Sequence, residues 1–258
     1  MLNLVIPMAG AGSRFVSAGY VDPKPLVCLH GVPMIRLVIE NLRPREEHRF
    51  IFICQQAHLQ THDLASKLER WAPGSTLVVL QGLTEGAACT VLCAKSLINN
   101  DDELMIANSD QYVDIDINRY LAAMRTRQLD GQIMTMKAND PKWSFVGISD
   151  LGYVSTVAEK VAISDEATTG VYNFKFGREF VRAAESMVRE ELRVNSEFYV
   201  APTYNLLIRE GAKVGYFNIG SEGSGMYGLG TPDDLNKFVA LDISKSVSAR
   251  LLSLGHPV

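Results

Sequence analysis

Leu2-Asn3-Leu4-Val5-Ile6-Pro7-Met8-Ala9-Gly10-Ala11-Gly12-Ser13-Arg14 is the stretch whose reading decides the fold. A nearly unbroken apolar run reads as a strand covered on both faces, as in a parallel sheet with helices packed on either side. Gly10 and Gly12 follow it directly, so backbone N–H groups can approach a ligand closely, and amides gathered at such a turn make a nest for an anion. The dinucleotide fingerprint GxGxxG needs a third glycine at position 15, where Phe15 stands. The next strand, Phe50-Ile51-Phe52-Ile53-Cys54, also ends without an acidic residue to hold a ribose hydroxyl. The turn therefore points to phosphate and away from a nicotinamide or flavin cofactor. Beyond Arg14 comes Asp22-Pro23-Lys24-Pro25-Leu26, whose flanking prolines fix backbone angles and present Lys24 from a stiff arm.

Working outward, short apolar runs alternate with amphipathic stretches over the first two-thirds of the chain. The spacing predicts helices over 33–42, 58–71, 87–98 and 116–128, the last capped by Asp116, and strands over 49–55, 75–81 and 103–108. The ELMIAN strand runs into Ser109 and Asp110. From Gln132 the period shifts toward two, giving strands over 132–138, 145–149, 153–158 and 169–176. Helices return over 177–192, 202–211 and 232–252, with a strand over 213–219. The expected architecture is one α/β domain spanning 1–258: a mostly parallel sheet flanked by helices over about 1–131, a small β-rich lobe over about 132–230, and a C-terminal helix over about 231–258.

Charge narrows the function. The 258 residues carry 25 Lys+Arg against 29 Asp+Glu, a net charge of −4, which excludes a massed basic surface for nucleic acid or anionic lipid but leaves room for one local phosphate pocket. No apolar run approaches the roughly 18 residues of a membrane span, and MLNLVIPMAG lacks the basic start and cleavage site of a signal peptide. A cytoplasmic protein is expected. Cys28, Cys54, Cys89 and Cys93 sit in apolar stretches and read as reduced core residues; Cys89 and Cys93 lack nearby histidines for zinc.

GAGSRF followed by PKPL resembles the GxGxR and PKxL signature of the sugar-phosphate nucleotidyltransferases, the enzymes that make NDP-sugars and related activated alcohols. Their fold is Rossmann-like and related to that of GT-A glycosyltransferases. The resemblance continues through Gln81-Gly82-Leu83-Thr84-Glu85-Gly86, similar to the base-reading loop, and Ile106-Ala107-Asn108-Ser109-Asp110, similar to the strand ending in the magnesium-binding Asp. Trp143 to Gly147, Glu159-Lys160 and Thr169-Gly170 resemble the acceptor lobe, and Gly230-Thr231-Pro232-Asp233-Asp234-Leu235 the closing turn and helix. From Ser109-Asp110-Gln111, DPKWSF and NSEFYVAPTYN, the nearest likeness is to small cytidylyltransferases of bacterial capsule pathways, including the kind that activates phosphoglutamine.

The resemblance implies a magnesium-dependent transfer between a nucleoside triphosphate, CTP favoured and UTP next, and a phosphorylated acceptor. It assigns Arg14, Lys24 and Asp110 to catalysis, with Asp110 also the metal ligand. It places the nucleotide on Met8, Ala9, Gly10, Ala11, Gly12, Ser13, Gln81, Gly86 and Ser109. It places the acceptor on Trp143, Gly147, Glu159, Lys160, Thr169 and Gly170. The chemistry is consistent: repulsion between triphosphate and acceptor phosphate is the obstacle, so fixed cations and a metal are what the reaction needs, and no nucleophilic Ser, Cys or His is required.

Relatives usually carry a second metal-binding Asp two residues before the closing Gly-Thr, and this chain has Gly228 there. Water or another carboxylate, with Glu222 a candidate, then completes the shell; otherwise the protein binds nucleotide without turning it over. A GT-A glycosyltransferase would use Asp114-Ile115-Asp116 as its DxD, but Asp116 reads as a helix cap. His58 and His62 read as a solvated helix face, and Asp101-Asp102-Glu103 as a solvated turn. The oligomeric state, a homo-oligomer included, is open.

Overall fold

The structure, a computed structural model, describes residues 1–254. Strand β1 (Leu2–Pro7) leads through the short helix α1 (Ser13–Ser17), a 3-10 turn over Lys24–Leu26 and the small hairpin β2 (Cys28–Leu29) and β3 (Val32–Pro33) into α2 (Met34–Leu42). There follow β4 (His48–Gln55), α3 (Gln56–His62), α4 (Leu64–Trp71), β5 (Thr76–Leu80), α5 (Ala87–Leu92), α6 (Lys95–Ile98), β6 (Glu103–Ala107), β7 (Gln111–Val113) and α7 (Ile117–Thr126). The second half runs through β8 (Gly131–Lys137), β9 (Ser144–Ile148), β10 (Val154–Glu159), β11 (Glu166–Phe174), α8 (Gly177–Arg189) and α9 (Tyr204–Arg209). It closes with β12 (Val214–Glu222), β13 (Gly225–Gly228), α10 (Pro232–Val239) and α11 (Asp242–Ser253).

One large sheet has the order β5-β4-β1-β6-β11-β8-β12-β13-β7, with β9 bridging β10 to β11. Strands β5, β4, β1 and β6 are parallel, with Val5 opposite both Ile51 and Ile106. β11 enters antiparallel between β6 and β8, and β12 lies parallel to β8.

The apolar runs are strands buried on both faces, and alternate residues feed different cores. Leu4, Ile6, Phe52 and Met105 enter one cluster with α2 and α4 residues, whereas Val5, Ile51, Ile53 and Ile106 enter another with Phe180 and Ala184 of α8. A third cluster packs Phe15, Met34 and Leu37 against Leu235, Phe238 and Leu251 of the last two helices. Among the described residues, no helix is long and apolar enough to cross a membrane.

Three predicted helices are each interrupted. The 58–71 segment breaks at Asp63, which takes left-handed backbone (φ 48°) and separates α3 from α4. The 87–98 segment breaks at Cys93 and Ala94, and the 232–252 segment at Ala240 and Leu241, where Leu241 is extended (ψ 148°). The expected C-terminal helix over 231–258 is thus α10 plus α11, and its last residues, 255–258, lie outside the described ones. Strands β7 and β13 went unforeseen. Each is three or four residues long, and β13 begins and ends in glycine, too little for a periodic signal.

Candidate active site

The carboxyl ends of β1 and β6 open on a cavity of about 420 Å³ lined by Met8 to Ala11, Lys24, Leu83, Thr84, Gly86, Thr90, Asn108 to Asp110 and Glu197. Ligands of open α/β sheets enter at this end of the strands. The glycine turn is pinned before any ligand arrives: the Met8 N–H donates to the Ile53 carbonyl at 2.9 Å, and Gln55 Nε2 donates to the Ala9 carbonyl at 2.6 Å. Gly12, at φ 61°, turns the chain into α1. In that helix Phe15 is only 1% exposed and meets Tyr20 edge-on at 5.1 Å. Position 15 is therefore a core anchor, while Ser13 and Arg14 face solvent beside it.

Lys24 stands at the start of its 3-10 turn, between Pro23 (φ −60°) and a buried Pro25. Its Nζ lies 2.9 Å from Asp110 Oδ2, each side chain about a quarter exposed (22% and 24%). Asp110 is held from behind, because its carbonyl accepts the Leu229 N–H at 2.8 Å. Gly230 is next to it: a Cβ there would come within 2.8 Å of Asp110 Oδ2. The closing Gly-Leu-Gly-Thr segment thus makes room for the carboxylate as well as capping α10, where Thr231 Oγ1 accepts the Asp234 N–H.

Across the cavity, Gly86 has φ 125°, and a Cβ there would strike the Phe198 backbone at 2.5 Å. Two backbone bonds fasten the same contact, Phe198 N–H to the Glu85 carbonyl (2.8 Å) and Ala88 N–H to the Phe198 carbonyl (3.0 Å). The Thr84 and Thr90 hydroxyls meet at 2.6 Å, and Thr90 also bonds the Gly86 carbonyl. Gln81 is exposed and outside the cavity wall.

Of the expected acceptor residues, Glu159 ends β10 and Lys160 follows it. Glu159 is buried, takes a hydrogen bond from Ser144 Oγ, and has its pKa raised mainly by burial, against the lowering pull of Ser144 and Lys160. Lys160 has left-handed backbone (φ 56°), gives its N–H to the Trp143 carbonyl at 3.1 Å, and points Nζ at Tyr199 Oη, 2.6 Å away. Gly170 faces Asn108, whose N–H it accepts at 3.0 Å.

Two further expected residues make contacts within the sheet. Gly147 lies within the β9–β10 pairing, and a Cβ would meet Thr156 Cγ2 at 2.8 Å, so its smallness serves strand packing. Thr169 is 1% exposed and donates to the Met134 carbonyl inside the sheet. The cavity wall therefore includes Met8, Ala9, Gly10, Ala11, Lys24, Gly86, Ser109 and Asp110 from the sequence reading. Gly12, Ser13, Arg14, Gln81 and all six acceptor residues lie outside it.

Sequence reasoning missed Thr84, Thr90, Asn108 and Glu197 on that wall. Thr84, Asn108 and Glu197 sit inside quoted motifs but were given no role. Glu197 is brought in by a tight two-residue turn, Asn195 and Ser196 both left-handed (φ 48° and 66°), with Val194 and Glu197 exchanging backbone hydrogen bonds at 3.0 and 2.9 Å.

The other acidic candidates are engaged elsewhere. Glu222 pairs with Lys142 at 2.8 Å and borders a separate hollow beside Gly228 and Asp234. A Cβ on Gly228 would meet nothing nearer than Asp234, at 3.9 Å. Asp116 caps α7 by accepting the Asn118 N–H at 3.0 Å and pairs with Arg45, and Asp102 pairs with the N-terminal ammonium. His62 lies 3.8 Å from Asp22, and burial lowers the His58 pKa. Burial raises the thiol pKa of both Cys89 and Cys93. Among the described residues, no three His, Cys, Asp or Glu side chains cluster closely enough to hold a metal by themselves.

Comparison with known proteins agrees with the fold. A nucleoside-diphosphate-sugar pyrophosphorylase from Vibrio cholerae RC9 superposes with a TM-score of 0.76 at 26% identity, covering 92% of this chain and 100% of that one. A UDP-glucose pyrophosphorylase from Acinetobacter baumanii (0.71, 18%, covering 98% and 99%) and the inositol-1-phosphate CTP transferase from T. maritima (0.71, 15%, covering 95% and 94%) share the fold. A sequence search of curated proteins finds no match. Residues 4–219 match the profile described as nucleotidyl transferase, and the chain belongs to that family.

Proposed function

We propose that this nucleotidyltransferase joins a nucleoside triphosphate, CTP before UTP, to a small phosphorylated acceptor and releases pyrophosphate. The observation that carries the reading is the Lys24–Asp110 pair at the head of a glycine-lined cavity. In the reaction an acceptor phosphate oxygen forms a bond to the α-phosphorus while the bond from that phosphorus to the bridging oxygen breaks, and the electron pair leaves with pyrophosphate. Met8 lines the cavity, Ala9 to Gly12 offer backbone amides to the triphosphate, Arg14 its forked guanidinium, and Lys24 a point charge for the α-phosphate. Lys160 steadies the acceptor phosphate. The role of the residues is positioning and neutralisation, since the nucleophile is already an oxyanion.

A divalent metal fits the donor set. Magnesium needs only one or two carboxylates when phosphate oxygens complete its shell, and Asp110 supplies one at the cavity mouth. Bound there, it would neutralise phosphate charge. We assign about 1–131 to the nucleotide, about 132–230 to the acceptor and about 231–258 to the closing helical segment. By likeness of motif, the acceptor is a sugar phosphate or phosphoglutamine-like compound destined for bacterial capsule or other surface polysaccharide, made in the cytoplasm.

A second reading, a nucleotide-binding module without turnover, is favoured by Gly228. A pyrophosphate-release assay with four nucleoside triphosphates against a panel of phosphorylated acceptors separates the two. Release with one pair supports the enzyme. Binding of nucleotide with no release from any pair supports the module.

A further inference from the structure

Lysine side chains carry about 2 kcal/mol of rotamer entropy, and a lysine expected to hold a phosphate usually loses it on binding. Lys160 is ordered beforehand. Its Nζ donates to Tyr199 Oη at 2.6 Å and sits 4.8 Å from the Tyr199 ring centroid, so both the hydroxyl and the face of one residue hold the ammonium. The Lys160 backbone is left-handed, an uncommon state for a non-glycine residue, and its N–H is tied to the Trp143 carbonyl. Tyr199 is half-buried and immediately follows Phe198, whose backbone is bonded on both sides to the Glu85–Ala88 loop. Arg193 strengthens that attachment, with its guanidinium 4.2 Å from the Phe198 ring centroid and paired with Glu85. Glu197, on the cavity wall, acts on both the Tyr199 phenol and the Lys160 ammonium.

We propose that Tyr199 is the positioning residue for Lys160, holding the ammonium and fixing it relative to the Glu85–Ala88 loop through Phe198. Tyr199 touches neither reacting phosphate; it acts through the lysine. The inference rests on the proposed role of Lys160 in holding the acceptor phosphate.

The test uses inorganic phosphate as the probe, titrated calorimetrically into the full chain with CTP present to fill the nucleotide site. Tyr199→Phe keeps the ring and removes the hydroxyl. It should weaken phosphate binding about tenfold, the cost of one hydrogen bond to a charged group. Its CTP affinity and thermal midpoint should match the parent's. Lys160→Ala should weaken phosphate binding at least as much, and adding Tyr199→Phe to it should cost nothing further, because the hydroxyl acts only through the ammonium. Unchanged phosphate affinity in Tyr199→Phe, with Lys160→Ala impaired, overturns the positioning role and leaves the proposed function standing. Additive losses in the double variant, or an equal loss of CTP binding in Tyr199→Phe, overturn it too. Unchanged phosphate affinity in Lys160→Ala removes the acceptor role of Lys160 itself.

Discussion

Lys24 and Asp110, 86 residues apart in sequence, are joined by an Nζ–Oδ2 contact of 2.9 Å. Each neutralises the other. A triphosphate drawing on Lys24 and a metal drawing on Asp110 both have to part them, so the two ligands are expected to help each other bind. Nucleotide affinity should therefore rise with magnesium in the parent. Lys24→Ala should lose that dependence in part and turnover by about 10²-fold or more, as for groups acting chiefly in the transition state. Titrating nucleotide at several magnesium concentrations checks the coupling. Magnesium-independent affinity in the parent would contradict it.

Arg14 stands outside the cavity wall, exposed to solvent. If it reaches in to grip the triphosphate, Arg14→Ala should cost about 10²-fold in kcat with no shift in thermal midpoint. A rate near the parent's would remove Arg14 from the mechanism.

Asp110→Asn keeps the size of the side chain and discards its charge. Near-inactivity is expected, rescued only partly by raised magnesium, and EDTA-treated parent should be inactive. Full turnover after metal removal would return Asp110 to a structural role.

Gly228 and Gly230 make a matched pair of tests. Alanine at 230 places its Cβ within 2.8 Å of Asp110 Oδ2, whereas alanine at 228 meets nothing nearer than 3.9 Å. Gly230→Ala should depress kcat more than tenfold with a modest loss of stability, and Gly228→Ala should leave both near the parent's. Steady-state kinetics with thermal melts distinguish them, and equal effects would refute the placement of Asp110.

Glu159 gives a pH signature. Its folded pKa is raised by burial, so the folded state holds a proton more tightly than the unfolded chain does. Below the ordinary carboxyl pKa both states are protonated and no penalty exists; as pH rises through the raised value, stability falls. Glu159→Gln should flatten that segment of the stability–pH curve and raise the thermal midpoint at neutral pH. Denaturant melts across the acid range check it. A lower midpoint for the Gln variant at pH 7 would show that the charged form is the stabilised one.

The doubly buried strands were legible because Val5 and Ile6 leave no polar face to misread, and the α7 cap because Asp116 precedes a clean helical period. Lys24 and Asp110 were legible as separate motifs, but their contact was not, because it depends on the Leu229–Gly230 segment closing behind Asp110. Glu197 was invisible for a related reason. It reaches the cavity through two left-handed residues, Asn195 and Ser196, a conformation that neither residue type requires. The sheet contacts of Gly147 and Thr169 were not legible, because a small residue and a hydroxyl look alike in sequence whether they admit a ligand or fill a sheet.

Phe15 has a bearing on what this chain can become. Its ring fills the core where a dinucleotide site would keep a glycine, and removing a buried Phe side chain costs about 3–5 kcal/mol, a large share of a domain's stability. A drift toward nicotinamide or flavin binding would thus begin by nearly unfolding the protein. For the proposed function, new specificity is reached more cheaply on the cavity wall, where the exposed Glu197 can change at little cost to the fold.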